Sequence, residues 1–458
     1  MNALLISALL GVVMMFCSFM LKDKAVIRNI AISGMLLLLV AAILELNGIV
    51  FFNIDTRGMI LFDRFALLFT IIIFAAVLIY YLLSAKDMEK VGNNYAEYFA
   101  LIFFILCGIS LVASFKSLLI LFLGIEIISI QLYILTGSDK KNLKSNEAAL
   151  KYFLMGAFST GLLLMGIAMV YGDRGSFFTS QIALSVAAVP SALLMTGMIL
   201  LLISMAFKVS AAPFHYWTPD VYDGAPTVFT SFMATIVKAA VFIAFIRLFD
   251  EAFGMIQSAW QIWLAVIAAA TLFIGNITAV FQQSVKRMLA YSSISQAGFM
   301  LLAIYAMNAD AKEGILFYTA AYSLATIGIF ALLIKMKDYT FDGFNGFARH
   351  QPLLAFATTV FLLSLAGIPL TAGFLAKFYM LKAAIATDKN LWLVIFAVLM
   401  AAVGVYYYFR VIQAMYFKDG ESSEIQVTPF FKWTMLSLAI LVILLGIFPN
   451  LILNWYYF

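Results

Sequence analysis

The stretch LLISMAFKVSAAPFHYW, residues 201–217, places a lysine inside an apolar run and follows it with a proline. Lys208 precedes Pro213 in what otherwise reads as a long membrane helix. A charge at mid-membrane costs about 2.5–3.5 kcal/mol on insertion scales. Proline removes one helical hydrogen bond and clashes with the preceding turn. A second stretch, SLAGIPLTAGFLAKFYML (364–381), carries the same two features in reverse order, with Pro369 ahead of Lys377. Broken helices deep in lipid are tolerated where they line a cavity. Two of them at corresponding places in two halves of a chain point to a transport site.

Composition agrees with membrane residence. Of 458 residues, 65% are hydrophobic and 11% charged, against about 45–50% and 25% in ordinary soluble chains. A water-soluble enzyme is excluded. The formal charge of +5 is too diffuse for the dense basic face that nucleic acid requires. Cys17 and Cys107 lie in apolar runs without a CxxC pair, and His215 and His350 are the only histidines. That set supplies neither the four thiolates of an iron–sulfur cluster nor a haem pair. No glycine-rich phosphate loop follows a strand. The chain is therefore expected to hold no cofactor and no metal, with any redox chemistry on other polypeptides.

About 20 apolar residues are needed to cross roughly 30 Å of hydrocarbon. Runs of this kind fall near 2–21, 25–48, 60–84, 95–114, 117–136, 147–171, 190–212, 227–249, 258–281, 287–307, 313–336, 352–386, 391–417 and 430–455. The expected fold is an all-α polytopic membrane protein with about 14 transmembrane helices. The start, MNALLISALLG, has no basic region, so the first span does not read as a cleaved signal. With the N-terminus outward, the inward loops collect Lys22, Lys24, Arg28, Lys86, Lys90, Lys140, Lys141, Lys144, Lys286, Arg287, Lys335, Lys337, Arg349, Arg410, Lys418 and Lys432. The outward loops hold only Arg57, Arg64, Lys116, Arg174, Arg247, Lys312 and Lys389. The positive-inside bias thus puts both termini on the non-cytoplasmic side.

Four charges stand where none is expected. Glu126 is central in LILFLGIEIISIQLYIL (119–135) and Lys238 is central in FMATIVKAAVFIAF (232–245); Lys208 and Lys377 flank the two breaks. Together they cost roughly 10 kcal/mol before pairing, comparable with a whole domain's net stability. A purely structural reading pairs Glu126 with Lys208 or Lys238 and lets Lys151 or Lys382 reach an interface along their stems. It leaves lysines over, since three central amines face one central carboxylate. Desolvation disfavours the charged form of such an amine, so a row of them joined by water is a proton relay. His215 is a supporting candidate for feeding protons to Lys208, with a loop hydrogen bond as the alternative. Most Phe, Tyr, Trp and Met residues need only pack or sit at interfaces.

Lys208 stands about 113 residues into a five-helix unit beginning near 95, and Lys377 about 119 into one beginning near 258. Because five is odd, the copies are expected in opposite topology. The resulting division is a three-helix segment over 1–93, repeats over 94–249 and 258–417, and a last helix over 430–455. The second copy lacks a counterpart of Glu126. Its equivalent region, KRMLAYSSISQAGF, offers Tyr291, Ser292, Ser293, Ser295 and Gln296, and Lys238 maps near Tyr406, Tyr407 and Tyr408.

The motifs FKVSAAPFHYWTPDVYDGAPT (207–227), EAALKYFLMGAFS (147–159), VKRMLAYSSISQAGF (285–299) and GIPLTAGFLAKF (367–378) resemble those of the antiporter-like subunits of respiratory complex I, the proton-pumping NADH–quinone oxidoreductase. The similarity extends over essentially the whole chain. PDVYDGAPT, and a lysine in the twelfth helix, resemble the branch called subunit N or chain 2. The end at Phe458 leaves no room for the long lateral helix of the distal branch. The resemblance implies that Glu126 and Lys208 pair, that Lys238 is the central relay and that Lys377 is the outward gate. Lys151 matches another lysine of the family, at a subunit contact or a proton access point. It further implies flavin, iron–sulfur clusters and quinone on partner subunits, neighbouring antiporter-like and small membrane subunits as partners, and a bacterial inner membrane. Related subunits of multi-subunit Na+/H+ antiporters are the alternative. A quinone-binding role for the aromatics lacks a His or Asp beside a Tyr or Trp to hold a headgroup.

Overall fold

A computed structural model describes residues 1–184, 190–387, 390–420 and 425–457; Lys389, assigned above to an outward loop, lies outside them. The described residues form long helices: α1 (Asn2–Met20), α2 (Lys24–Leu46), α3 (Arg64–Ser84), α4 (Tyr95–Ser114), α5 (Leu118–Thr136) and α6 (Leu143–Arg174). Next come α7 (Ala192–Lys208), α8 (Trp217–Gly224), α9 (Thr227–Phe232), α10 (Lys238–Phe253), α11 (Gln257–Val280), α12 (Val285–Ala306) and α13 (Ala309–Lys335). The last are α14 (Pro352–Ala366), α15 (Ala372–Ile385), α16 (Leu391–Phe417) and α17 (Pro429–Ile447). Helix is what an apolar run must adopt in lipid, where backbone polar groups find partners only within their own segment.

Each expected span has a helical counterpart. The run 352–386 is split, α14 from α15 across 367–371, and the run 190–212 stops at Lys208, with α8 following after residues 209–216. One turn of π-helix, Met233–Val237, joins α9 to α10. Side-chain caps fix several starts. Asp63 accepts from the Ala66 N–H at 2.9 Å, Asn308 from Ala311 at 2.9 Å and Thr428 from Phe431 at 3.3 Å.

Burial sorts the helices into an inner and an outer set. The apolar windows of Thr227–Val280 and α13 are fully buried, whereas those of α1, α6 and α17 are one-third buried. The outer faces carry exposed Phe16, Phe158, Phe281 and Trp433, a surface suited to lipid or neighbouring chains rather than water. Close helix contact relies on small residues. A Cβ on Gly166 of α6 would lie 2.9 Å from the Gly197 carbonyl oxygen of α7, which locks the helix carrying Lys208 against α6.

Candidate proton-relay site

Both breaks hold one non-glycine residue in the left-handed region. The first, after α7, contains Ser210 at φ +65° and a cis Ala212–Pro213 bond; the second, after α14, contains Leu370 at φ +70°. A non-glycine residue in the left-handed region costs about 1–3 kcal/mol and persists where surrounding contacts over-determine it. Those contacts are present. Thr218 Oγ1 donates to Ser210 Oγ at 2.7 Å, the Ala212 N–H to Thr271 Oγ1 at 2.9 Å, and Trp217 Nε1 to the Phe207 carbonyl at 3.1 Å. At the second break the Gly373 N–H donates to Ser364 Oγ at 3.0 Å, and Gly446 of α17 lets the Leu370–Thr371 backbone pass close.

Lys208 ends α7 with its Nζ 2.8 Å from Ser129 Oγ and 3.4 Å from Thr160 Oγ1. Thr160 in turn donates to Glu126 Oε1 at 2.8 Å. Among the described residues Glu126 and Lys208 make no ion pair within 4 Å; the threonine hydroxyl stands between them. The expected direct pairing is therefore corrected to a bridged one. Thr160 from α6 and Ser129, one turn beyond Glu126 on α5, take the hydrogen bonds of the amine instead.

Lys238 and Lys377 have no carboxylate partner among the described residues, and each is at most 7% exposed. Lys238 Nζ donates to the Ser293 carbonyl at 2.8 Å and to its hydroxyl at 3.0 Å. Lys377 Nζ donates to the carbonyls of Leu365 and Ala366 at 2.8 and 2.9 Å. These are the last carbonyls of α14, so the amine sits at the negative end of that helix's dipole. The Phe299 ring lies 4.9 Å from the same Nζ.

α12 passes beside both amines, though among the described residues no hydrogen bond between Ser293 and Gln296 closes a path from one to the other. One turn after Ser293, Gln296 Nε2 donates at 3.0 Å to the Leu365 carbonyl that also serves Lys377. Gln296 further donates to Tyr408 Oη at 3.2 Å and accepts from Tyr318 Oη, while Ser292 meets Tyr408. Tyr407 donates to Asn276 at 3.0 Å. The hydroxyl-rich segment near Ser292 and Gln296, with Tyr408, thus joins one network, while Tyr406 is exposed. No side-chain hydrogen bond among the described residues joins Lys208 to Lys238.

Lys151 and His215 stand apart. Lys151, partly exposed, pairs with Glu147 at 2.8 Å and Asp220 at 3.0 Å; Asp220 also pairs with Arg287 at 3.0 Å. His215 is buried beside Tyr216, its Nδ1 without a protein partner, and does not bond Lys208. Lys382 pairs with Asp310 at 2.8 Å.

Sequence reasoning missed two further charge clusters. Arg247, placed above in an outward loop, is buried in α10. It reaches Asp63 at 2.5 Å, Glu251 at 2.9 Å and the Ala113 carbonyl at 2.7 Å. Only the i,i+4 spacing of Arg247 and Glu251 hinted at it. Buried Asp87 pairs with Lys335 at 2.5 Å across 248 residues, with no local signal. The π turn immediately before Lys238 was equally silent in the sequence.

Taken together, the helices and the internal lysines define a polytopic α-helical membrane protein organised around two broken helices. Residues 113–404 match the family model described as NADH:quinone oxidoreductase/Mrp antiporter, transmembrane. NADH-quinone oxidoreductase subunit N of Cytophaga hutchinsonii is 39% identical over 463 residues, covering 99% of each chain. A chain of respiratory complex I from Thermus thermophilus with bound Aureothin superposes with TM-score 0.85 at 31% identity, over 99% of this chain and 98% of that one. A chain of the Mrp complex from Dietzia sp. DQ12-45-1b shares the fold, with TM-score 0.86 at 18% identity, over 99% and 95%. The chain belongs to the NADH:quinone oxidoreductase/Mrp antiporter family, in its NADH-quinone oxidoreductase subunit N branch.

Proposed function

We propose that this chain is a proton-translocating subunit of a membrane NADH–quinone oxidoreductase and moves protons along Lys208, Lys238 and Lys377. The observation that carries the reading is the pair of buried lysines without carboxylates among the described residues, Lys238 bonded to Ser293 and Lys377 to the Leu365 carbonyl that Gln296, three residues further along the same helix, also bonds. A change of state in a neighbouring subunit shifts Glu126 relative to Lys208. The interaction of two unit charges about 6 Å apart, one hydroxyl between them, is about 3 kcal/mol at an effective dielectric of 20, enough to decide whether Lys208 keeps its proton. Lys208 then gives it toward Lys238, and Lys377 releases it outward. The π turn Met233–Val237 gives the Lys238 helix a place to shift register across the gap from Lys208.

In this reading residues 94–249 and 258–417 are inverted repeats, and both termini face away from the cytoplasm of a bacterial inner membrane. Flavin, iron–sulfur clusters and quinone belong to partner subunits, and neighbouring membrane subunits flank the chain. Lys151 and His215 are supporting groups near the inward end. The second reading, a subunit of a multi-subunit Na+/H+ antiporter, draws on the shared family model and the Mrp fold. Proteoliposomes holding the purified complex separate the two. NADH with quinone, without a sodium gradient, is expected to acidify the lumen; proton movement driven by sodium alone overturns the first reading.

A further inference from the structure

Two cavities outside the lysine row lie one after the other along α3. The first, about 610 Å3, opens where α3 ends and α17 begins, and its charged lining is Arg28, Lys86, Lys90 and Lys335 against Asp87 and Glu89. Arg28 pairs with Glu89 at 3.3 Å, and Asp87 takes both Lys90 and Lys335, at 2.9 and 2.5 Å. The surplus positive charge rests on Lys86, which is exposed and has no carboxylate within 4 Å among the described residues. The N-terminal turn of α17 lines the same cavity and adds the positive end of a helix dipole. Tyr81 also lines it, with a buried hydroxyl that has no protein partner.

The second cavity, about 320 Å3, lies between α3, α13, α17 and the terminal helix Asn450–Tyr457, and its lining is aliphatic apart from Trp455. Ile72, Ala75 and Ile79 line it; Leu82 and Lys86 line the first cavity. These five follow one another at three- and four-residue intervals, so one stripe of α3 and the turn after it floors both spaces. At 1.5 Å per residue, Ile72 and Lys86 are separated by about 21 Å along the helix. Ile79 is about 10 Å from Lys86 on the same measure, so a chain reaching the roughly 15 Å half-thickness of the hydrocarbon core ends within the groove.

A cationic chamber at a membrane-surface end, followed along the same helix stripe by an apolar groove, has the charge and shape of a lipid seat. We propose that this seam binds one anionic glycerophospholipid. Its phosphate lies at Lys86 and the α17 N-terminus, and an acyl chain lies along α3 against Leu441 and Leu445.

The test uses the assembled membrane complex containing this chain, incubated with phosphatidylglycerol bearing a diazirine on one acyl chain, irradiated and mapped by peptide mass spectrometry. Labels are expected to concentrate on 68–79 and 441–452. Lys86→Glu, which breaks no ion pair, and Ala75→Trp, which fills the groove, should each lower that labelling about tenfold. The corresponding phosphatidylcholine probe should label weakly and ignore Lys86→Glu. Equal labelling by the two lipids, no label at the seam because a neighbouring chain covers it, or unchanged labelling in both variants overturns the proposal.

Discussion

Lys208 closes the helix before its break, whereas Lys377 sits inside the helix after its own, and their surroundings differ accordingly. The first amine is only partly buried, rests on Ser129 and Thr160, and has Glu126 one hydroxyl away. The second is buried, rests on two backbone carbonyls and an aromatic face, and meets no carboxylate among the described residues. The same pairing of proline with lysine therefore yields two chemistries. A hydroxyl-bridged acid can move and change the charge balance of Lys208; the α14 carbonyls are fixed dipoles that hold Lys377 in one place. In the proposed relay, the difference assigns switching to the first break and a fixed way station to the second.

The largest effect is expected where no side chain substitutes. Lys377→Ala should lower coupled turnover about a hundredfold, in the range of a lost positioned acid–base group, measured as NADH-driven acidification of proteoliposomes. Survival of more than half the rate would remove the second break from the path. Gly367→Ala sharpens the same point while keeping the lysine in the sequence. Gly367 has φ +83°, and an added Cβ would lie 2.9 Å from Lys377 Cδ. A strain of about 1–2 kcal/mol from the left-handed backbone, together with a displaced Lys377, should cut turnover severalfold in a complex that still assembles.

At the first break Thr160→Val removes the bridging hydroxyl. Loss of a hydrogen bond worth about 1 kcal/mol should slow turnover about fivefold, and Thr160→Ser should restore it. A silent valine variant would show that Glu126 does not act through Thr160. The smallest effect belongs to the partly exposed cluster. Asp220→Asn weakens pairs worth about 0–1 kcal/mol, so turnover should stay within about twofold; a loss as deep as that of Lys377→Ala would move the path to the Lys151 side.

The helices and breaks were legible because lipid imposes long apolar runs and proline interrupts them in plain view. The same held for Glu126, Lys208, Lys238 and Lys377, each conspicuous as a charge in an apolar run. The partners were not. Thr160 is one hydroxyl among many on outer helices, and only the approach of α6 to α5 and α7 makes it a bridge. Arg247 reads as a loop residue until Asp63, 184 positions away, is placed beside it. The Leu365 carbonyl that joins Gln296 to Lys377 is backbone, invisible to any reading of side-chain types. The serine- and tyrosine-rich segments were noticed, but their assembly around Gln296 depends on how α12, α13 and α16 meet.

Lys238 stands between the two breaks, so the relay is tested most directly there. In the purified complex carrying Lys238→Met, reconstituted in proteoliposomes, protons translocated per NADH oxidised are measured against wild type. The relay requires the ratio to fall, or coupled turnover to stop, while the complex remains assembled. A wild-type ratio at a wild-type rate would contradict it.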